Sequence, residues 1–236
     1  MTRIMLAAFL ALSAAPASAA ERRYTVTDYD RIQVDGPFQV ALTTGRASSA
    51  TASGSNAAIE RVSIEVQGRT LRVRANRSAW GGYPGEAAGP VRILLSTYGL
   101  RGASLEGSGR LSIDKARTMR FDASVSGSGR IDVGAIEADT LAVALLGSGK
   151  ITVGGKAKSL RATIQGAGDL DAEALSVEDA QINASTSGLI AVAVRRAATV
   201  TSSGQGDTKI IGSPACTVKS NGSGQVLCGK SNQGQR

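Results

Sequence analysis

Four aspartates, Asp132, Asp169, Asp171 and Asp207, are the residues of this chain whose type and spacing could do chemistry. In Gly168-Asp169-Leu170-Asp171 two carboxyl groups stand two residues apart, which places them on one face of a strand. Such a pair on an open face is what hydrolysis of a glycosidic bond requires, one group as acid and the other as base or nucleophile. The rest of the catalytic vocabulary is thin. The chain has no histidine, so it lacks the commonest general base and metal ligand. It carries no HExxH, no P-loop and no Gly-x-Ser-x-Gly elbow.

The element that must position any such group is a glycine turn repeated along the C-terminal half. Seven copies occur: Gly107-Ser108-Gly109, Gly127-Ser128-Gly129, Gly147-Ser148-Gly149, Gly166-Ala167-Gly168, Thr186-Ser187-Gly188, Gly204-Gln205-Gly206 and Gly222-Ser223-Gly224. They are spaced 18 to 20 residues apart, a period that signals stacked repeats. Four residues beyond the first glycine stand Leu111, Ile131, Ile151, Leu170, Ile190, Thr208 and Val226. Six beyond stand Ile113, Val133, Val153, Ala172, Val192, Ile210 and Cys228. On the other side the same alternation gives a column from Ala103 to Val218 and another from Phe121 to Cys216. Alternation of period two means half-buried strands. The spacing therefore predicts an all-β parallel β-helix with rungs of 18–20 residues, right-handed by the usual preference of parallel crossovers. At about 4.8 Å per rung the rod is on the order of 30 Å long. Serines in a repeated corner are structural. Rungs this short leave no room for the long loops that build a polysaccharide-degrading cleft, so catalysis is the remote alternative and the chain is expected to be a non-enzyme. Aspartate follows the turn in only two copies, which disfavours a calcium repeat. No metal or cofactor site is expected.

Measured against the turn, other residues acquire neighbours. Arg110, Arg130 and Lys150 follow three successive turns and stack as a column of cations. Neighbouring charges about 4.8 Å apart in water repel by on the order of 1 kcal/mol, so the column is either an ordinary solvated face or a short basic ladder for an anionic polymer. Cys216 and Cys228 lie six residues to either side of the last turn. In an oxidising compartment that symmetry favours a disulfide fastening the terminal rung, with buried free thiols as the alternative. Trp80 and Tyr83, in a Gly/Pro-rich loop, either lid the end of the solenoid or contact a ligand.

Residues 24–100 lack the turn but read as β throughout, with no helix. Ile32 and Val34 precede Gly36-Pro37, and Val40 and Leu42 alternate after it. Ile64 and Val66 lead through Gly68 to Leu71 and Val73, as in a hairpin or a rung corner. The segment Phe38-Gln39-Val40-Ala41-Leu42, the turn Gly68-Arg69-Thr70-Leu71, the strand from Val91 to Leu100 and the Gly-Ser-Gly turns together resemble the bacterial head GIN domain family, also called auto-transporter adhesins. The resemblance covers nearly all of the chain beyond its leader. It implies an exported β-helical protein of adhesive character.

The first 20 residues read as a leader: Arg3, the apolar run Ile4 to Leu12, and the small residues Ala17-Ser18-Ala19. The expected organisation is a signal peptide over 1–20, an N-terminal β segment of the same solenoid over 21–100, repeats over 101–230 and a disordered tail over 231–236. The protein is then periplasmic, on the outer surface or secreted, with no transmembrane segment. The formal charge is +8, or +7 without Arg3. Such a balance attracts polyanions, and acidic glycans or other surface polymers are the expected partners. With aromatics at 3% there is no stacking platform for bases, which excludes nucleic acid. Open solenoid ends also allow homo-oligomers. Composition and repeat thus lead to a non-catalytic envelope or surface protein, adhesin or scaffold, with a carbohydrate- or polyanion-binding module as the alternative.

Overall fold

The computed structural model describes residues 20–76 and 90–229. The leader, Trp80, Tyr83 and the C-terminal tail lie outside the described residues. The chain forms a parallel β-solenoid of about six turns. Its main rungs are β9 (Arg110–Gly127), β10 (Arg130–Gly147), β11 (Lys150–Gly166), β12 (Asp169–Thr186) and β13 (Ile190–Ser202), completed by β14 (Thr208–Gly212), β15 (Ala215–Ser220) and β16 (Val226–Cys228).

Like stacks on like. Leu111, Ile131, Ile151, Leu170, Ile190, Thr208 and Val226 are in register from rung to rung. So are Phe121, Leu141, Leu160, Ala180, Ala198 and Cys216. Their aliphatic side chains fill a dry interior: Leu111, Ile131, Leu141, Ile151 and Ile190 have no exposed surface. The alternation breaks three times per rung, in β9 at Asp114–Lys115, Met119–Arg120 and Ser126–Ser128. Each turn of the solenoid therefore has three sides, one more than the glycine corner and a single second connection would make.

The corner itself continues the ladder, since the Ser148 N–H donates to Gly127 O at 3.0 Å and the Lys150 N–H to Gly129 O at 3.0 Å. Glycine is needed there for two separate reasons. Gly147 has φ +109°, where side chains are disfavoured. A Cβ on Gly149 would lie 2.5 Å from Gly129 O, so its constraint is close approach to the rung below.

The N-terminal strands are β1 (Ala20–Tyr24), β2 (Arg31–Asp35), β3 (Gln39–Thr44), β4 (Ser49–Gly54), β5 (Val62–Gln67), β6 (Thr70–Ala75), β7 (Arg92–Thr97) and β8 (Gly102–Gly107). They extend the same columns in an order unlike the chain's own. β2 lies between β6 and β8, and β3 between β7 and β9, all parallel. Ile93 and Val40 thereby continue the column of Leu111. Antiparallel strands close this end: β4 on β7, β1 on β4, and β5 on β6 in a hairpin turning at Gly68. The outermost strand, Ala-Glu-Arg-Arg-Tyr, has charged residues along an exposed edge, a common guard against edge-to-edge pairing.

One expectation is overturned. A short helix, α1 (Asn56–Glu60), occupies a stretch read as β. Ser55 caps it by accepting the Ala58 N–H at 3.2 Å, and Ala58 and Ile59 are buried beneath it. Five residues are too few to display a helical period.

At this end Tyr29 is 2% exposed and donates its hydroxyl to Ser96 O at 2.8 Å. Burial pushes its phenol far above the usual tyrosine value, and burial likewise raises Tyr24 against the opposing charge of Arg22. A raised folded-state pKa means stability is intact below the ordinary value of about 10 and drains as pH rises above it. Urea midpoints are therefore expected to be flat up to about pH 10 and to fall beyond it. The fall is shallower in Tyr29→Phe, which also loses about 1 kcal/mol at neutral pH. An equal alkaline slope in both proteins would contradict this.

Candidate functional site: an arginine-lined groove

The stacked column expected after the glycine turns is real: Arg110, Arg130 and Lys150 are in register, preceded by Gln39 and followed by Asp169. It is not a free basic ladder. Arg110 leans onto Asp132 at 3.7 Å and Lys150 onto Asp171 at 3.7 Å, each reaching diagonally to the next rung. Arg130 alone has no carboxylate partner among the described residues.

The acidic candidates are thereby accounted for. Asp132 and Asp171 hold these ion pairs. Asp169 accepts the Leu189 N–H at 2.8 Å, and Asp207 accepts the Gln225 N–H at 2.8 Å. In both places a carboxylate replaces the carbonyl that would otherwise bind the next corner. Asp169 and Asp171 share a strand face, but each is committed to holding the rungs together. Among the described residues no cluster of three or more His, Cys, Asp or Glu could hold a metal ion.

Cys216 and Cys228 are joined by a disulfide with Cα atoms 6.6 Å apart. Their pairing across the last rung follows from the two columns they end. Cys216 lies outside the interior expected of its column, because β15 is exposed along its whole length, while Cys228 is half-buried against the core. No further rung among the described residues covers β15.

A concavity lies on the second side of the solenoid, away from the ladder. A groove of about 600 Å³ opens beside Asp30, Arg69, Tyr98, Arg101, Met119 and Arg120. It adjoins a second of about 510 Å³, lined by residues that include Lys156, Lys158, Glu178 and Arg195. The two share Arg117, Thr118 and Met119, so they lie side by side as a channel in two parts along the rungs.

Its N-terminal end is built by strand register. Residues preceding β6, β2 and β8 fall side by side, so Asp30 sits between Arg69 and Arg101. Backbone bonds fix the row: the Asp30 N–H donates to Arg69 O at 3.0 Å and the Arg101 N–H to Asp30 O at 2.7 Å. The Asp30 carboxylate, 12% exposed, then accepts Arg69 Nε at 2.8 Å and lies 3.8 Å from Arg101 Nε. One residue further on, Arg31 faces Gly102, whose partner in β9 is Asp122. Having no side chain, Gly102 lets Arg31 lie across it to within 3.9 Å of Asp122, which also accepts Arg120 Nε at 2.9 Å. Each carboxylate thus serves two guanidinium groups.

Further along, the charges largely cancel. Arg117 pairs with Glu137 at 3.4 Å and Lys158 with Asp139 at 2.7 Å. The hydrogen bond to Asp139 holds the Lys158 ammonium above its ordinary value. Beside the channel, Arg196 bonds Asp179 and holds that carboxyl below its usual range. Lys156 and Arg195 have no carboxylate partner among the described residues. The lining carries eight cations against six carboxylates, so the channel keeps a positive surplus.

These features define a class: a thin parallel β-solenoid with charged grooves along one of its faces. More narrowly, the profile of the family "Putative auto-transporter adhesin, head GIN domain" matches residues 28–214, and the chain belongs to that family. No curated protein matches the sequence. Among solved structures, a "putative adhesin" of Bacteroides fragilis superposes with TM-score 0.82 at 20% identity, covering 89% of this chain and 96% of its own. A "putative lipid binding protein" of Parabacteroides distasonis gives 0.71 at 21% identity, with 90% and 98% covered. A "putative adhesin" of Parabacteroides merdae gives 0.71 at 18% identity, with 90% and 96% covered. At these identities the likeness is one of fold.

Proposed function

We propose that this protein is an exported, non-catalytic scaffold of the cell envelope or surface that adheres to acidic polymers through the channel on its second side. The observation that carries the reading is the pair of adjoining grooves with more cations than carboxylates, running across successive rungs. Four rung steps separate the level of Arg117 from that of Arg195, roughly 19 Å at the spacing of parallel strands, which suits an extended chain better than a small molecule. The structural duties of Asp132, Asp169, Asp171 and Asp207 support a binding rather than a hydrolytic role. The leader supports export, and no helix among the described residues is long and apolar enough to cross a membrane.

The test is binding of polygalacturonate, alginate and neutral dextran to the purified protein at low and high salt. The expected result is retention of both acidic polymers at low salt, weakening as salt rises, with none of dextran. Equal affinity for dextran, or no binding of either acidic polymer at low salt, overturns the reading. Because two of its three cations lean on carboxylates, the Arg110/Arg130/Lys150 ladder is a secondary contact. The triple alanine variant is expected to retain affinity within about threefold, as for exposed paired charges. A loss beyond tenfold would move the site to that face.

A further inference from the structure

We propose that the N-terminal end of the channel is a subsite for uronic acid residues of a polysaccharide, the free ends of Arg69 and Arg120, three strand steps apart, each taking a carboxylate beside the ring of Tyr98. This rests on the polymer-binding reading above and assigns it a chemistry.

The two arginines are held in the same way. Each binds its aspartate through Nε, at 2.8 Å for Arg69 and 2.9 Å for Arg120. Guanidinium is a rigid planar group with five N–H donors. A carboxylate on the Nε side orients the plane and leaves the far edge, bearing both Nη groups, without a hydrogen-bond partner among the described residues. That edge is the fork that grips a second carboxylate with two parallel bonds. Both side chains are 67% exposed, so the forks are open to a ligand and already oriented by Asp30 and Asp122.

What flanks the forks narrows the ligand. Tyr98 and Met119 expose 66% and 78% of their surface on the same groove. An aromatic ring and a thioether there offer an apolar surface to the C–H face of a pyranose ring. Asp122 keeps a third of its side chain exposed, which provides acceptors for sugar hydroxyls. The carboxylates Asp28, Asp30 and Asp122 in the lining also count against a densely sulfated or phosphorylated polymer, which they would repel. Forks for a carboxylate, acceptors for hydroxyls and a ring for C–H bonds together describe a sugar with one acidic group.

The test measures binding of trigalacturonate and of the matching neutral galactose oligomer by calorimetry. The variants are Arg69→Lys/Arg120→Lys and Tyr98→Ala in the full protein. The double variant keeps every charge and both aspartate partners but removes the forks, so it isolates bidentate geometry from charge. Wild type is expected to bind the acidic trimer and not the neutral one. The double variant should lose affinity by on the order of tenfold, and Tyr98→Ala by several-fold. Tyr98→Ala alters an exposed ring only, so it keeps the test valid if the double variant misfolds. Wild-type affinity in Tyr98→Ala together with unchanged affinity in a folded double variant overturns the subsite while leaving the polymer reading intact. Failure of the unaltered protein to bind any acidic polymer overturns both.

Discussion

Gly147→Ala is expected to destabilise the protein by about 3 kcal/mol or more. Two costs add. With φ at +109°, a side chain at this corner is strained by about 1–3 kcal/mol. The new Cβ would also lie 2.6 Å from Gly127 O, the atom that accepts the Ser148 N–H at 3.0 Å. The corner cannot relax outward without lengthening that bond and the one from Lys150 to Gly129, each worth about 1 kcal/mol. Against a total stability of about 5–15 kcal/mol, this is a large fraction. Gly147→Asn, which tolerates positive φ, should recover little, because the contact with the rung below remains. Ser148→Ala, one residue on at the exposed tip, should stay within about 0.5 kcal/mol. Urea midpoints of the three variants decide it, and a loss of less than about 1 kcal/mol in Gly147→Ala would refute the argument.

These numbers follow from a feature legible in the sequence, and the reason it was legible is physical. In a parallel in-register stack each residue meets its own counterpart, so a period in the chain becomes a column in space. The columns of Leu111 and Phe121 could therefore be written down from spacing alone, and the disulfide partners with them. Exposure of Cys216 could not, because an inward-facing column is covered only while another rung follows. The arginine groove was also invisible. Its makers, Arg69, Asp30 and Arg101, come from chain segments that become adjacent only when β2 inserts between β6 and β8. Local alternation carries no record of that order. A signal was present in the family's turn Gly68-Arg69-Thr70-Leu71, which fixes where Arg69 stands but not what stands beside it. The basic column stayed open between a solvated face and a ladder for a related reason, since reading one column at a time omits diagonal pairs such as Arg110 with Asp132.

Phe121→Ala is expected to cost about 3–5 kcal/mol and to break the cooperativity of unfolding. Phe121 is fully buried and opens the column that continues as Leu141 and Leu160. No counterpart stands before it in register, because β8 begins opposite Asp122. Here the regular rungs give way to the interleaved N-terminal strands, so a cavity at Phe121 falls on the seam between them. A solenoid's stability is a sum of neighbour-to-neighbour terms, and weakening one seam lets the two sides unfold separately. The m-value should therefore drop along with the midpoint. Amide exchange should accelerate in β2, β3 and β8 while β11 and β12 stay protected. Phe121→Leu puts at this position the residue the next two rungs use, so it should cost about 1–1.5 kcal/mol and keep the transition single. A cooperative transition with unchanged m-value in Phe121→Ala would mean that the N-terminal strands and the repeats form one unit whose coupling does not pass through this ring.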